Sequence, residues 1–422
     1  MSGGGQYSAF SDVAIVEAVR TPWVDLGGAL AKISPIDLGI KVAREVLARA
    51  AVSPASVDTV LAGSMAQASF DAYLLPRHIG LYSGVPQSVP ALGVQLICAT
   101  GLELLRQAAL HVGGGGQMAL CVAAESMSRN PIAAYTHRDG FALGGEVQFK
   151  DFLWEALYDP APAMDMIATA DNLARRHVLS RETVDEYALL SHQRAMQSQV
   201  DGHWLSEIVP ISNECFELAL FQPRCIELPR GVESVTQDSH PRATSPEALS
   251  RLRAIHGDGV QTAGNSCAVV DGAAAALVAH LSQTDRPVMA HLLASAVVGV
   301  APEFMGICPV LAIQLLLQRS GLALDDIDRL EINEAQAAQV LAVAQTLELD
   351  IERLNCQGGS LGIGHPLAAT GLRLVMTLAR QLREENLRYG IAAACVGGGQ
   401  GMALLIENPL YRAFPERDRL SA

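Results

Sequence analysis

Residues 94–105 read VQLICATGLELL, an apolar run that stops at Cys98 and passes through a small polar turn into an apolar helix pattern. A thiol there either fills space, as buried free cysteines do, or sits at the positive end of a helix dipole, where it ionises more easily and becomes a nucleophile. A base elsewhere in the chain would decide between the two. In LNCQGGSLGIGHPLAATGL (354–372) His365 ends a glycine-rich loop and Pro366 is placed to start a helix. That histidine is either a backbone-bonded structural residue or the partner of Cys98 in covalent catalysis. In AACVGGGQGMA (393–403) Cys395 heads a glycine run. Such glycines serve as turns or turn N–H groups toward a developing oxyanion, and a second thiol beside a histidine can exchange protons. In EINEAQAAQ (331–339) Asn333 and Glu334 suit a helix cap or a site.

The elements that position these groups show an α/β alternation. DVAIVEAV (12–19), TVLAGSMA (59–66) and the alanine-rich stretch after TAGN (262–265) read as strands, and DLGIKVAREVLARA (37–50) as a helix. An internal echo goes further. Ala99-Thr100-Gly101-Leu102 opens a helix pattern followed by a turn and a strand holding Cys121-Val122; Ala369-Thr370-Gly371-Leu372 opens another, followed by a turn and a strand holding Cys395-Val396. The repeated order implies two lobes related by pseudo-symmetry, which would bring the two helix starts, and with them Cys98 and His365, together. Between the lobes lies a different composition, with most of the Trp and a polar helix that Ser180 caps. The expected division is 1–123 with 251–283 as one half, 124–250 as an insertion, and 284–422 as the other half.

The chain has 422 residues, half of them hydrophobic, and a formal net charge of -14. That charge argues against a general nucleic-acid binder, which needs a basic surface. No stretch reaches the ~18 uninterrupted apolar residues of a membrane span. The first residues show neither a basic leader nor an Arg-rich amphipathic pattern, so the expected location is cytoplasmic. Eight cysteines without a regular framework or a C-x-x-C pair argue against a disulfide scaffold and structural zinc.

Taken together, the motifs resemble the thiolase family through nearly the whole chain. In order they are R-T-P at 20–22, C-A-T-G-L at 98–102, E-S-M-S at 125–128, T-A-G-N at 262–265 and D-G-A-A-A at 271–275. M-G-I-C-P-V at 305–310, N-E-A at 333–335, G-H-P at 364–366 and C-V-G-G-G-Q-G at 395–401 follow. The resemblance implies two βαβαβαββ halves in five αβαβα layers with an inserted loop domain that binds coenzyme A. It implies thiolysis of a 3-oxoacyl-CoA or the reverse condensation, with CoA as substrate, no permanently bound cofactor or metal, and a homodimer or homotetramer. By the same resemblance Cys98 is the acyl-accepting nucleophile, His365 activates it, and Cys395 moves protons to and from the other substrate. Asn333 serves one oxyanion site, and the N–H groups of Cys98 and Gly397 the other. Arg242, Cys267, Met166, Met305 and Gln336 become candidates for CoA or substrate contact.

Departures from the family pattern are Gln95 for an Asn, Ala123 and Ala124 for glycines, Cys267 for a Ser, Cys308 for a Gly, and Gln336 for the aromatic of N-E-A-F-A. Gln336 is expected on the same helix start and face as Asn333, where an amide makes the acyl pocket more polar and favours a branched or polar chain. Two other readings are a ketoacyl-synthase type of condensing enzyme, which usually carries Cys, His and His, and a non-catalytic acyl-CoA or lipid-binding relative, which should have lost one of the three reactive groups.

Overall fold

The computed structural model describes residues 4–66, 69–135, 138, 140–284 and 287–412. The first half runs β1 (Val13–Arg20), α1 (Pro35–Ala50), β2 (Thr59–Gly63), α2 (Leu75–Tyr82), β3 (Ala91–Gly93), α3 (Thr100–Gly113) and β4 (Met118–Glu125). After the long segment containing α4 (Met166–His177) and α5 (Arg181–Asp201) it closes with β5 (Val270–His280). The second half runs β6 (Ala290–Gly299), α6 (Cys308–Ser320), β7 (Arg329–Ile332), α7 (Ala337–Leu347), α8 (Leu367–Glu384), β8 (Tyr389–Val396) and β9 (Gln400–Glu407).

Strand order is β7-β8-β9-β6-β1-β5-β4-β2-β3. The two halves share one pairing plan. In the first, β2 lies parallel to β4, β4 antiparallel to β5, and β5 antiparallel to β1; β7, β8, β9 and β6 repeat it. Where β3 continues the first sheet, the second keeps only a parallel bridge from Leu330 to Leu354. The halves join through two β1–β6 pairs, Ala290 with Ile15 and His291 with Ala14, and through the N-terminal strand Gly5–Ala9, which lies antiparallel to β6 from Val298 to Ala294.

Strand periodicity explains the layers. Along β5, Ala273, Ala275, Leu277 and Ala279 pack with α1, whereas Ala274, Ala276 and Val278 pack with α3 and α8. Along β8, Ala392, Ala394 and Val396 join the same central layer, whereas Ile391 and Ala393 face α6 and α7. Side chains at i and i+2 share a face, so each sheet has helices on both sides and its strands read as unbroken small apolar runs. The result is five layers: helix, sheet, the α3/α8 pair, sheet, helix. Nearly every residue of α8 from Leu367 to Leu382 is buried, as a helix between two sheets must be.

The segment between β4 and β5 wraps both halves. Ile211, Phe216 and Ile226 join the first half's core, and Val184, Tyr187 and Ala188 the second's. Ser180 caps α5, accepting from the N–H of Thr183. Arg20 of R-T-P is fully buried and bonds Glu207 at 3.0 Å and Asp238 at 2.7 Å, which ties this segment to β1. One expectation needs correcting: Cys215 and Cys225 form a disulfide. They sit directly opposite each other in an antiparallel pair, within bridging reach. A cross-strand register is not visible in cysteine spacing.

Candidate active site

The A-T-G-L echo has a physical cause. A Cβ built on Gly101 would meet Leu372 N at 2.5 Å and Gly371 Cα at 2.9 Å; one built on Gly371 would meet Leu102 N at 2.4 Å. The first turns of α3 and α8 therefore cross backbone against backbone, which only glycine permits. The threonine beside each glycine holds the loop ahead of its helix. Thr100 Oγ1 accepts from Leu96 N at 2.9 Å and donates to the carbonyl of Ile97 at 2.8 Å; Thr370 Oγ1 bonds His365 Nδ1 at 2.6 Å. The crossing delivers Cys98 and His365 to the wall of one cavity of 280 Å³.

Met166, Cys267, Met305 and Gln336 line that cavity too. Cys395, fully buried at the end of β8, packs behind Met305 and Ala335 with Met166 against them. Gly397 brings its N–H to the thiol of Cys98, and its open α-carbon face lets Met166 and Ile97 pack close. Arg242 is not part of this lining; it lies on the ring of His240, with Nη1 2.7 Å from Nε2. A larger, more open groove of 730 Å³ beside Glu103 and Arg106 holds none of the reactive groups.

Hydrogen bonds fix the histidine tautomer. Ser360 Oγ donates to Asn333 Oδ1 at 2.8 Å, so the Asn333 amide nitrogen faces His365 Nε2 at 3.3 Å as a donor. In this orientation Nε2 accepts, and Nδ1 carries the proton that goes to Thr370. Burial, with Arg373 nearby, lowers the His365 pKa to about 3, so the ring is a neutral base. Burial also pushes the Cys98 thiol up to about 12, with the N–H groups of Gly397 and of Cys98 itself pulling the other way. The expectation of an easily ionised thiol is thus corrected: desolvation outweighs the N–H groups, and the resting pair is neutral thiol and neutral imidazole. Cys395 is raised as well, first by burial and then by Cys98, Cys308 and Cys267. Alkylation of Cys98 by iodoacetamide is expected to speed up about tenfold per pH unit from 7 to 9, following the thiolate fraction. A plateau beginning between pH 6 and 8 would instead mean a resting thiolate–imidazolium pair.

Two features were not read from the sequence, and a third, Glu334, does not cap the helix that follows it. Ile97 has φ +45°, a strained conformation for a β-branched residue, immediately before Cys98. Glu125, fully buried, accepts from Met65 N, Ala66 N, Ser64 Oγ and Ala368 N, tying the loop beside Cys98 to the first turn of α8. Glu334 accepts from Tyr187, Ser191, Asn355 and Leu361 N, anchoring α5 under the His365 loop. The one sequence signal was a lone carboxylate ending or following an apolar strand. Gln336 also differs from expectation. It is extended, at φ −146°, and precedes α7 rather than sharing a helix face with Asn333. Residues 335–337 pair with 265–267 instead, through Cys267 N to Ala335 O and Ala337 N to Asn265 O.

Comparison with known proteins agrees with this arrangement. Residues 13–282 match the model of the thiolase N-terminal domain and 286–408 that of the thiolase C-terminal domain. The mitochondrial 3-ketoacyl-CoA thiolase of Bos taurus is 37% identical over 402 residues, spanning 94% of this chain and 98% of that protein. The crystal structure of human mitochondrial 3-ketoacyl-CoA thiolase in complex with CoA superposes with a TM-score of 0.88 at 36% identity, covering 94% of this chain and 98% of that one. The acetyl-CoA acetyltransferase of Bacillus anthracis also gives 0.88 and 36%, over 94% and 99% of the two chains. With both halves of the fold matched from end to end, the chain belongs to the thiolase family and is an acyltransferase working between a 3-oxoacyl-CoA and CoA.

Proposed function

We propose that Cys98 takes the acyl group, His365 activates it, and Cys395 serves the second substrate. His365 Nε2 removes the thiol proton as sulfur attacks the 3-oxo carbon of the substrate. The N–H groups of Cys98 and Gly397 receive the developing oxyanion, and the C2–C3 bond then breaks toward C2. A water held by Asn333, together with protonated His365, receives the thioester oxygen of the departing enolate, Cys395 gives C2 its proton, and acetyl-CoA leaves. Incoming CoA returns a proton to Cys395 and attacks the Cys98 thioester; the bond from Cys98 sulfur to the acyl carbon breaks, the released thiolate takes back its proton from His365, and the shortened acyl chain leaves on CoA. The reverse sequence is a Claisen condensation. The observation that carries this reading is the glycine crossing, which sets a nucleophile and a tautomer-fixed base in one cavity with a second thiol behind its wall. All three reactive groups are present, which disfavours a mere binder, and a thiol where a ketoacyl synthase usually has its second histidine disfavours that class. CoA-dependent conversion of 3-oxohexanoyl-CoA to acetyl-CoA and butanoyl-CoA, followed by mass spectrometry, tests it; binding without cleavage would leave only the carrier reading.

Residues 124–250, between the halves 1–123 with 251–283 and 284–422, are assigned to CoA binding and to subunit contacts. Support comes from the short helix Phe152–Ala156 and the start of α4, whose Leu153, Trp154 and Met166 line the cavity. Arg242 is placed at the adenine and phosphate end of CoA, since an anion in a protein of net charge -14 needs local positive charge. Arg242→Ala should then raise the KM for CoA about tenfold at nearly constant kcat, the signature of lost uniform binding. An unchanged KM removes Arg242 from the site. A homodimer or homotetramer is supported by the exposed Phe70, Tyr73, Leu74 and Leu92 around the edge strand β3. Among the described residues no helix is long and apolar enough to cross a membrane. A cytoplasmic setting is proposed on the six free cysteines, with the Cys215–Cys225 disulfide as the one feature that speaks for an oxidising one.

A further inference from the structure

The cavity that holds Cys98 is walled mainly by apolar side chains, among them Met127, Leu153, Leu157, Met166, Val269 and Leu367. One spot differs. Ser266 and Gln336 face each other as an antiparallel bridge, so their side chains stand on the same side of the paired segments, and both line the cavity. The Ser266 hydroxyl is buried and finds no hydrogen-bond partner among the described residues. Behind Gln336, the Gln261 amide is satisfied at both ends when its O and N are exchanged: it then donates to Gln336 Oε1 at 3.1 Å and accepts from Ala338 N at 3.2 Å. With its oxygen occupied, Gln336 has its NH2 left to offer the cavity, and that group has no hydrogen-bond partner among the described residues. A buried donor without a partner costs free energy unless a ligand supplies an acceptor. The spot is close to the chemistry, since Gln336 follows Asn333, the contact of His365 Nε2, by three residues.

Charge narrows the ligand. Among the described residues no Lys or Arg lines the cavity, whereas Asp151 and Asp165 do. Both carboxylates cap helices, Asp151 accepting from Leu153 N at 2.9 Å and Asp165 from Ala168 N at 2.8 Å. His256 Nε2 lies 3.1 Å from Asp165, outside the cavity lining, so a carboxylate on the substrate would enter beside Asp151 and Asp165 and find no Lys or Arg among the described lining residues to pair with. We propose that the acyl chain this enzyme handles best carries an uncharged oxygen, a hydroxyl or carbonyl group beyond C3, seated on Ser266 and Gln336, and that carboxylated chains are rejected.

This rests on the thiolase reading of Cys98, and the test separates the two. Three substrates are compared: 3-oxohexanoyl-CoA, 5-hydroxy-3-oxohexanoyl-CoA and 3-oxoadipyl-CoA. The wild-type kcat/KM is expected to favour the hydroxylated over the plain substrate by about tenfold or more, and the plain over the carboxylated. Gln336→Met and Ser266→Ala should each shrink the first ratio toward one while cleavage of 3-oxohexanoyl-CoA continues; the serine variant removes a single oxygen and serves if the other fails to fold. A ratio near one in the wild type overturns the proposal. So does an equal loss on all three substrates in the variants, which would place Ser266 and Gln336 on the pantetheine arm. Efficient cleavage of 3-oxoadipyl-CoA overturns the charge argument. No cleavage of any substrate, with no acyl group on Cys98, refutes the thiolase reading itself and this proposal with it.

Discussion

Cys98→Ser is expected to lower kcat for thiolysis by at least about 10³-fold and to leave the fold in place. The substitution exchanges sulfur for oxygen at a site buried against Met65, Ala66, Met127 and Leu367, so packing changes by less than a methyl group. The chemistry changes far more. The wild-type thiol is already pushed up to about 12 by burial, and a hydroxyl in the same surroundings ionises far less readily than any thiol. With the neutral imidazole of His365 as base, proton removal from oxygen becomes the barrier, and about 10³-fold corresponds to roughly 4 kcal/mol. Incubation of the wild type with acetyl-CoA should leave an acetyl group on the peptide containing Cys98, and Cys98→Ser should show none. An adduct found on Cys395 or Cys267 and never on Cys98 would exchange the roles of the thiols. Cys267 is the informative competitor, because it lines the same cavity, and burial, reinforced by Cys98, raises it to about 12 as well.

What the sequence displayed and what it hid divide by range. Elements with local causes were legible: the apolar periods of β1, α1, β4 and β8, the Ser180 cap, and the A-T-G-L echo that implied the meeting of α3 and α8. The reactive groups were legible because each stands at an element boundary in a short motif. Features made by distant pairing were not. Gln336 reads as part of a helix start because N-E-A-Q-A-A-Q is good helix sequence, yet the bridge to Ser266, seventy residues upstream, draws it into an extended conformation. The left-handed Ile97 is unreadable for the same reason, since nothing in LICAT asks a β-branched residue to adopt positive φ. Thr100, three residues on, bonds on both sides of it, to Leu96 N and Ile97 O, a local contact that the motif does not announce. The Cys98 pKa went astray because dipole and neighbours can be argued from a motif, whereas the burial that raises it depends on how the chain closes over the site, with Leu153, Ala156 and Leu157 of the insertion packing against Cys98 and its neighbours.

Gly371→Ala isolates the contribution of the helix crossing, since it touches no reactive atom. The added methyl would lie 2.4 Å from Leu102 N and 2.9 Å from Gly101 Cα, both backbone atoms that no rotamer change can move. The first turns of α3 and α8 must separate, and overpacking of this kind costs ~1–3 kcal/mol. Loss of stability is the smaller consequence. Cys98 precedes α3 directly, and His365 is held to α8 through Thr370, so separating the helices moves nucleophile and base apart. A displacement of ~1 Å between reacting groups costs ~10²-fold in rate. Gly371→Ala is therefore expected to fold, melt several degrees lower, and lose about 10²-fold in kcat with little change in the KM for CoA. Gly113→Ala, at the far end of α3 with open space around the new methyl, is the matched control and should keep full activity with stability equal or higher by ~0.4–1 kcal/mol. If the two variants were equally active, Cys98 and His365 would have to be positioned by their loops alone, and the crossing would be a packing feature without a part in catalysis.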